Sequence, residues 1–140
     1  MATMLERLEQ AWNLHDAGAV ASLCAESYVS NQPVHAGRGF IGRAQVLANW
    51  TSVFEGVPDF RAELVAFSID GDTEWGEWEW TGHYDDNSTF AMRGVTIFIV
   101  SDGLISGARL YMEPVDPTDD DIDQAVRQLY QSPGPRQELP

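Results

Sequence analysis

Between Arg61 and Glu113 the sequence switches between two classes of residue at nearly every step, in four runs separated by three short polar turns. The runs are Arg61–Ile69, Thr73–Tyr84, Thr89–Val100 and Leu104–Glu113. The turns are Asp70-Gly71-Asp72, Asp85-Asp86-Asn87-Ser88 and Ser101-Asp102-Gly103. Connections this short cannot carry a crossover, so neighbouring strands must be antiparallel. No other feature constrains the fold as much: the second half of the chain is a four-stranded meander.

The first half has a helical period. Met4, Leu5, Leu8, Ala11 and Trp12 recur at i, i+3, i+4 spacing, and this helix ends near His15-Asp16, ahead of Gly18. Val20, Leu23 and Cys24 predict a short second helix, and Tyr28 to Gln32 a short strand stopped by Pro33. Gly37 and Gly39 mark a loop. Ile41, Ala44, Leu47, Trp50 and Phe54 predict a third helix, stopped by Gly56 and Pro58. After the meander, Thr118 is the expected N-cap of a last amphipathic helix carrying Ile122, Ala125, Val126 and Leu129. The expected division is a domain over 1–116, a C-terminal helix over 117–131 and a disordered tail over 132–140. The fold class is α+β: N-terminal helices on a curved, mainly antiparallel sheet.

Charge narrows the partners. The net charge is −14, and all eight basic residues are arginine. Such a balance repels phosphate backbones and anionic lipid, so neither nucleic acid nor a membrane surface is expected. No apolar run reaches spanning length and no signal peptide is visible. The single cysteine, Cys24, fits a reducing compartment, and a cytoplasmic location is expected. No histidine pair has ligand spacing, so no metal is expected, and no phosphate-binding glycine loop or nucleophile elbow is present. No cofactor is expected.

The run Thr73–Tyr84 decides what the sheet encloses. One face carries Trp75, Glu77, Glu79, Thr81 and His83; the other carries Gly76, Trp78, Trp80, Gly82 and Tyr84. In one reading the tryptophans face the core and the glutamates face water. In the other the tryptophans meet a second subunit and the glutamates line a pocket. Alternation alone leans toward the first.

A set of motifs leans toward the second. Ala11-Trp12-Asn13-Leu14-His15-Asp16, Gly37 with Ile41, Pro58-Asp59-Phe60 and Asp70-Gly71-Asp72 are followed by Trp78-Glu79-Trp80-Thr81-Gly82 and Arg93-Gly94-Val95. Ser101-Asp102-Gly103-Leu104-Ile105 and Tyr111-Met112-Glu113-Pro114 complete it. In this order the set resembles the nuclear transport factor two-like superfamily and, within it, the SnoaL-like polyketide cyclase and ketosteroid isomerase-like group. The resemblance spans roughly residues 4–116. It implies a cone-shaped α+β barrel around one cavity, and a homodimer formed through the outer sheet face by Trp78, Trp80, Arg109 and Tyr111, with Arg93 and Glu113 also outward. It implies that Glu77, Glu79, Thr81, Leu110, Met112, Met92 and Asn31 face inward. Laid over the more distant limonene epoxide hydrolase pattern, Glu77 stands where the catalytic arginine would be and Leu110 where an aspartate would be. Epoxide hydrolysis is thereby excluded. The acid near the end of the last strand in SnoaL-like cyclases is matched loosely by Glu113.

The candidate chemistry follows. Glu77 and Glu79 lie roughly 6.5–7 Å apart along one strand face. In a dry pocket two carboxylates cannot both ionise easily, so one becomes an acid or base near neutral pH. His83 near the strand end and His35 in the loop Pro33–Gly37 are candidate proton shuttles, although for each the residues alone favour a plain surface or loop histidine. Trp50 and Phe54 are pocket wall or plain core, and Asn31 is a candidate to orient water or a carbonyl. Two functions stay open. One is a cofactor-independent isomerase, cyclase or lyase moving protons on a small apolar carbonyl compound. The other is a non-catalytic ligand-binding or partner-stabilising protein.

Overall fold

The computed structural model describes residues 2–132. Helices α1 (Met4–Asn13), α2 (Ala17–Ser22) and α3 (Arg43–Gly56) and strands β1 (Cys24–Asn31) and β2 (Phe40–Ile41) precede the meander of β3 (Arg61–Asp70), β4 (Thr73–His83), β5 (Thr89–Ser101) and β6 (Leu104–Pro114). Helix α4 (Ile122–Tyr130) closes the described chain. The strands form one open sheet in the order β2-β1-β6-β5-β4-β3, antiparallel throughout except for the parallel pair β1–β6. The α+β architecture expected from the pattern is the one observed.

Turn chemistry sets the meander. At Asp102-Gly103 both central residues have positive φ (53° and 75°), the geometry that matches the twist of a tight hairpin. Gly71 supplies the positive φ (60°) of the β3–β4 turn.

The inner face of the sheet is covered mainly by α1. Its first turn is closed by a capping box between Thr3 and Glu6. The Glu74 carboxylate, buried on β4, also accepts hydrogen bonds from the N–H groups of Met4 (3.4 Å) and Leu5 (3.1 Å). A carboxylate at this end of a helix meets the positive pole of its dipole. Further along, Glu9 accepts from Leu64 N–H (2.6 Å), and Asn13 bonds both the carbonyl and the N–H of Ala62 (2.9 and 2.7 Å). These contacts lay α1 along β3 and β4 and carry Trp12 onto the tryptophans beneath.

Three local expectations are corrected. Ile41 has helical spacing to Ala44, but Gly42 at φ 111° breaks the period, so Ile41 lies on β2 and α3 starts at Arg43. The strand predicted over Tyr28 to Gln32 begins earlier, because β1 extends back to Cys24 beside β6. The cap of α4 is Asp121 rather than Thr118: its side chain accepts from Gln124 N–H (2.9 Å), and the Gln124 side chain accepts from Asp121 N–H (3.1 Å). The tail expected over 132–140 lies, beyond Ser132, outside the described residues. No helix among the described residues is long and apolar enough to cross a membrane.

Candidate active site

Cross-strand partners share a face of the sheet, so the register assigns each side chain. Trp78 pairs with Gly94, Trp80 with Met92, and Glu79 with Arg93. Gly94 in turn pairs with Met112, and Thr96 with Leu110. Trp78, Trp80, Met92, Thr96, Leu110 and Met112 therefore share the inner face. Glu77, Glu79, Arg93, Arg109, Tyr111 and Glu113 share the outer one.

This overturns part of the inward set. Leu110, Met112 and Met92 do face in, whereas Glu77 and Thr81 are exposed on the outer face, and Asn31 is exposed beside Arg109 on β1. Glu79 is half-buried and forms an ion pair with Arg93 at 3.2 Å. Trp78 and Trp80 are only 0% and 8% exposed, so they are core and belong to no subunit interface. The energetics favour this side. Two buried indoles remove roughly 300–500 Å² from water, at most about 8–12 kcal/mol. Turning the strand over would strand two carboxylates inside, at several kcal/mol each.

The tryptophans form an aromatic cluster with the helices. Trp12 lies 4.8 Å from Trp78, 5.3 Å from Trp80 and 5.0 Å from Trp50 between ring centroids. Trp50 and Phe54 of α3 extend it to Phe60. Gly76 makes room for this packing, because a Cβ there would approach Trp78 Nε1 at 2.9 Å and Leu5 Cδ2 at 3.0 Å.

Within the cluster lies a cavity of about 40 Å³, where Trp12, Tyr28, Trp50, Trp80, Thr96 and Leu110 meet. It holds a few waters or a few ligand heavy atoms. Phe54 is packed against the core but does not line it. Cys24 and Tyr28 also reach the cavity, and burial raises their pKa values to about 11 and about 12. For Tyr28 the nearby Ser30 hydroxyl offsets part of that rise, without the geometry of a full hydrogen bond. Both groups are thus protonated at neutral pH. A larger hollow, about 510 Å³, lies outside between α2 and α3, but its arginine, Arg43, is already donating to the Cys24 carbonyl (2.8 Å).

The remaining sequence-predicted residues are His35 and His83, and each meets a carboxylate. His35, on the loop after β1, contacts Glu113 at the end of β6 through Nε2 at 2.6 Å. Met92 and Met112 lie at the same end of the sheet, on its inner face. His83 Nδ1 contacts Asp59 at 2.7 Å, and its backbone N–H donates to the same carboxylate at 2.7 Å. The His83 side-chain bond, then the backbone one, holds the Asp59 carboxyl below the ordinary carboxylate range. That pair fastens the α3–β3 loop to β4 and is more exposed than His35–Glu113. His15, stacked on Phe54, contacts the Phe60 carbonyl at 2.6 Å and is structural. Among the described residues no cluster of histidine, cysteine and acidic side chains could hold a metal ion.

Residues 5–108 match the family model of the SnoaL-like domain. The chain belongs to the SnoaL-like family. No curated protein matches its sequence. Solved structures share the fold at low identity. A protein from Catenulispora acidiphila with a ketosteroid isomerase-like fold, in complex with trimethylamine, is 16% identical with a TM-score of 0.70, over 79% of this chain and 85% of that one. A candidate SnoaL-like polyketide cyclase from Jannaschia sp. CCS1 is 19% identical with a TM-score of 0.67, over 79% and 83%. A nuclear transport factor two-like protein of unknown function from Exiguobacterium sp. 255-15 is 23% identical with a TM-score of 0.66, over 81% and 99%. The SnoaL-like chain therefore has the nuclear transport factor two-like fold.

The indole N–H groups of Trp12 and Trp80, buried with no acceptor among the described residues, were missed from sequence. The signal was present, since Trp12, Trp50 and Trp80 sit at inward positions of three elements, but only the register shows that they converge.

Proposed function

We propose that this SnoaL-like protein is a cofactor-independent enzyme of the isomerase or cyclase kind, moving protons on a small apolar carbonyl compound that reaches from the tryptophan-lined cavity to the His35–Glu113 pair at the end of the sheet. The observation that carries the reading is the His35–Glu113 pair, 2.6 Å long and partly buried, at the end of the sheet where inner-face Met92 and Met112 lie. A carboxylate that fixes an imidazole prepares it to take up and return a proton. In the proposed step His35 removes a proton from the carbon next to the carbonyl. The C–H electron pair forms the enolate, whose charge settles on oxygen. Return of the proton at another carbon gives isomerisation; attack of the enolate carbon on a second carbonyl forms the ring bond, and the new alkoxide takes the proton back from His35. Kinship with the polyketide cyclase-like structure supports the reaction class.

The test is exchange of the α-hydrogens of cyclopentanone for deuterium in heavy water. The native protein is expected to accelerate exchange over buffer, and His35→Gln to lose that acceleration by about 10²-fold or more. Binding of the ketone with exchange at the buffer rate supports the second reading, a non-catalytic binding protein. One observation favours that reading: no carboxylate or imidazole lines the cavity itself.

Two further parts belong to this proposal. The dimer face is the outer sheet surface without Trp78 and Trp80: exposed Trp75, with Val95, Tyr111 and Arg109. A mass in solution of two chains for the native protein and one for Trp75→Glu is expected; a native monomer contradicts it. The cytoplasm remains the proposed location, consistent with the buried free thiol of Cys24.

A further inference from the structure

The outer face of the sheet has a hollow that the register of β3 creates. Leu64 pairs with Trp78 and Ala66 with Glu77, so Val65 is an extra residue, a bulge. One extra residue exchanges the two faces of the strand beyond it. Ala66 and Ser68 turn outward, opposite Glu77 and Trp75, and Phe67 turns inward, opposite Gly76. Small side chains therefore stand where an unbroken register would have put Val65 and Phe67. The result is a hollow of about 270 Å³, lined on the outer face by Ala66, Ser68, Trp75, Glu77 and Val95. Trp75, at its edge, is 42% exposed. The indole N–H of Trp75, the Ser68 hydroxyl and the Glu77 carboxylate have no partner among the described residues.

We infer that this hollow receives Trp75 of a second copy of the chain, so that two reciprocal tryptophan insertions hold the pair together. This rests on the dimer proposed above and names what fixes it. In a two-fold pair the same patch meets itself. A ring and a hollow side by side on one chain then answer the hollow and the ring of the other. The hollow has room for an indole, and its lining is apolar where the ring body would lie, at Ala66 and Val95. A buried indole N–H needs an acceptor, and the Ser68 hydroxyl and the Glu77 carboxylate both line the hollow. Area supports insertion over flat contact. The four meander strands, about 4.8 Å apart and about 3.3 Å per residue over roughly ten residues, offer roughly 600 Å² of face per copy. Two such faces bury about 1,200 Å², the lower bound for a stable pair. A flat contact would also leave both hollows empty and forfeit the dispersion contacts of their linings. Insertion fills them with a residue type that dominates interface energies.

The experiment is sedimentation equilibrium on the full chain, its Trp75→Ala and Ala66→Trp variants, and an equal mixture of the two variants with a mass tag on one. Trp75→Ala removes the ring and keeps the hollow; Ala66→Trp keeps the ring and fills the hollow. Both positions are exposed in the single chain, and circular dichroism checks that each variant is folded. Each variant alone is expected to self-associate about 30-fold or more weakly than the native chain. The mixture is expected to form a tagged–untagged pair at least about tenfold tighter than either variant with itself, because the ring of one chain finds the open hollow of the other. Ser68→Phe fills the hollow from a second position and should behave as Ala66→Trp does. A native dimer that tolerates both filling variants, or variants that weaken it without complementing each other, overturns the insertion and leaves the dimer standing. A native monomer overturns both. None of these outcomes touches the proposed proton transfer, which deuterium exchange tests separately.

Discussion

The two faces of β4 carry similar numbers of large side chains and do opposite work. On the inner face Glu74, Gly76, Trp78 and Trp80 are all buried; on the outer face Trp75, Glu77, Thr81 and His83 are all exposed. The inner face is held by packing against α1 and α3; of its indoles, Trp78 is paired with Thr96 and the Trp80 N–H has no acceptor among the described residues. The outer face is held chiefly by its strand neighbours, as in the Glu79–Arg93 pair, and at its end by the His83–Asp59 contact. The lesson is that glutamates on a strand do not mark a pocket. Where an indole and a carboxylate compete for the interior, desolvation decides for the indole.

The sharpest way to break this comparison is substitution on either side of the strand. Trp78→Ala is expected to lower unfolding stability by about 3–5 kcal/mol, and Glu77→Ala to change it by less than about 0.5 kcal/mol. Urea unfolding of both measures it, and a Glu77→Ala cost comparable to that of Trp78→Ala would reverse the faces.

A smaller effect concerns alkaline pH, where only interior groups respond to folding. The raised pKa values of Cys24 and Tyr28 mean that the folded chain holds these protons more tightly than the unfolded one. Their stabilisation is complete below the ordinary values of 9.0 and 10.0 and is lost as pH rises toward about 11 and about 12. The loss should be on the order of 2 kcal/mol per group. Melting temperature against pH should fall over that window, and Cys24→Ala with Tyr28→Phe should flatten the fall. An unchanged profile in the double variant would show that other groups set the alkaline limit.

Smaller again is Glu74→Gln, which keeps the shape but removes the charge facing the α1 N-terminus. A loss of about 1 kcal/mol is expected, reduced by salt less than a surface pair would be. No loss would mean that the two N–H contacts carry α1 without help from charge.

The strands and turns were legible in the sequence because both rest on local chemistry: a two-residue period, and Gly71 and Gly103 where a turn needs positive φ. The SnoaL-like motifs were legible for the same reason. The direction of β4 was not, because Trp78-Glu79-Trp80 offers an amphipathic choice that one strand cannot settle. It is settled by pairing: Trp80 with Met92 and Glu79 with Arg93, so the inward and outward sets inferred from kinship each mixed two faces. Helix α3 was read two residues too early because Ile41 keeps helical spacing across a glycine whose conformation no helix contains. The pairing of His35 with Glu113 spans 78 positions and had no local signature.

The central claim is that Glu77 and Glu79 take no part in the proposed proton transfer, which depends on His35 held by Glu113. Deuterium exchange of cyclopentanone, measured on Glu77→Gln/Glu79→Gln and on His35→Gln side by side, tests it most directly. The glutamate pair should keep the native rate within about twofold, and His35→Gln should lose about 10²-fold or more. Loss in the glutamate pair with His35→Gln unaffected would contradict the account.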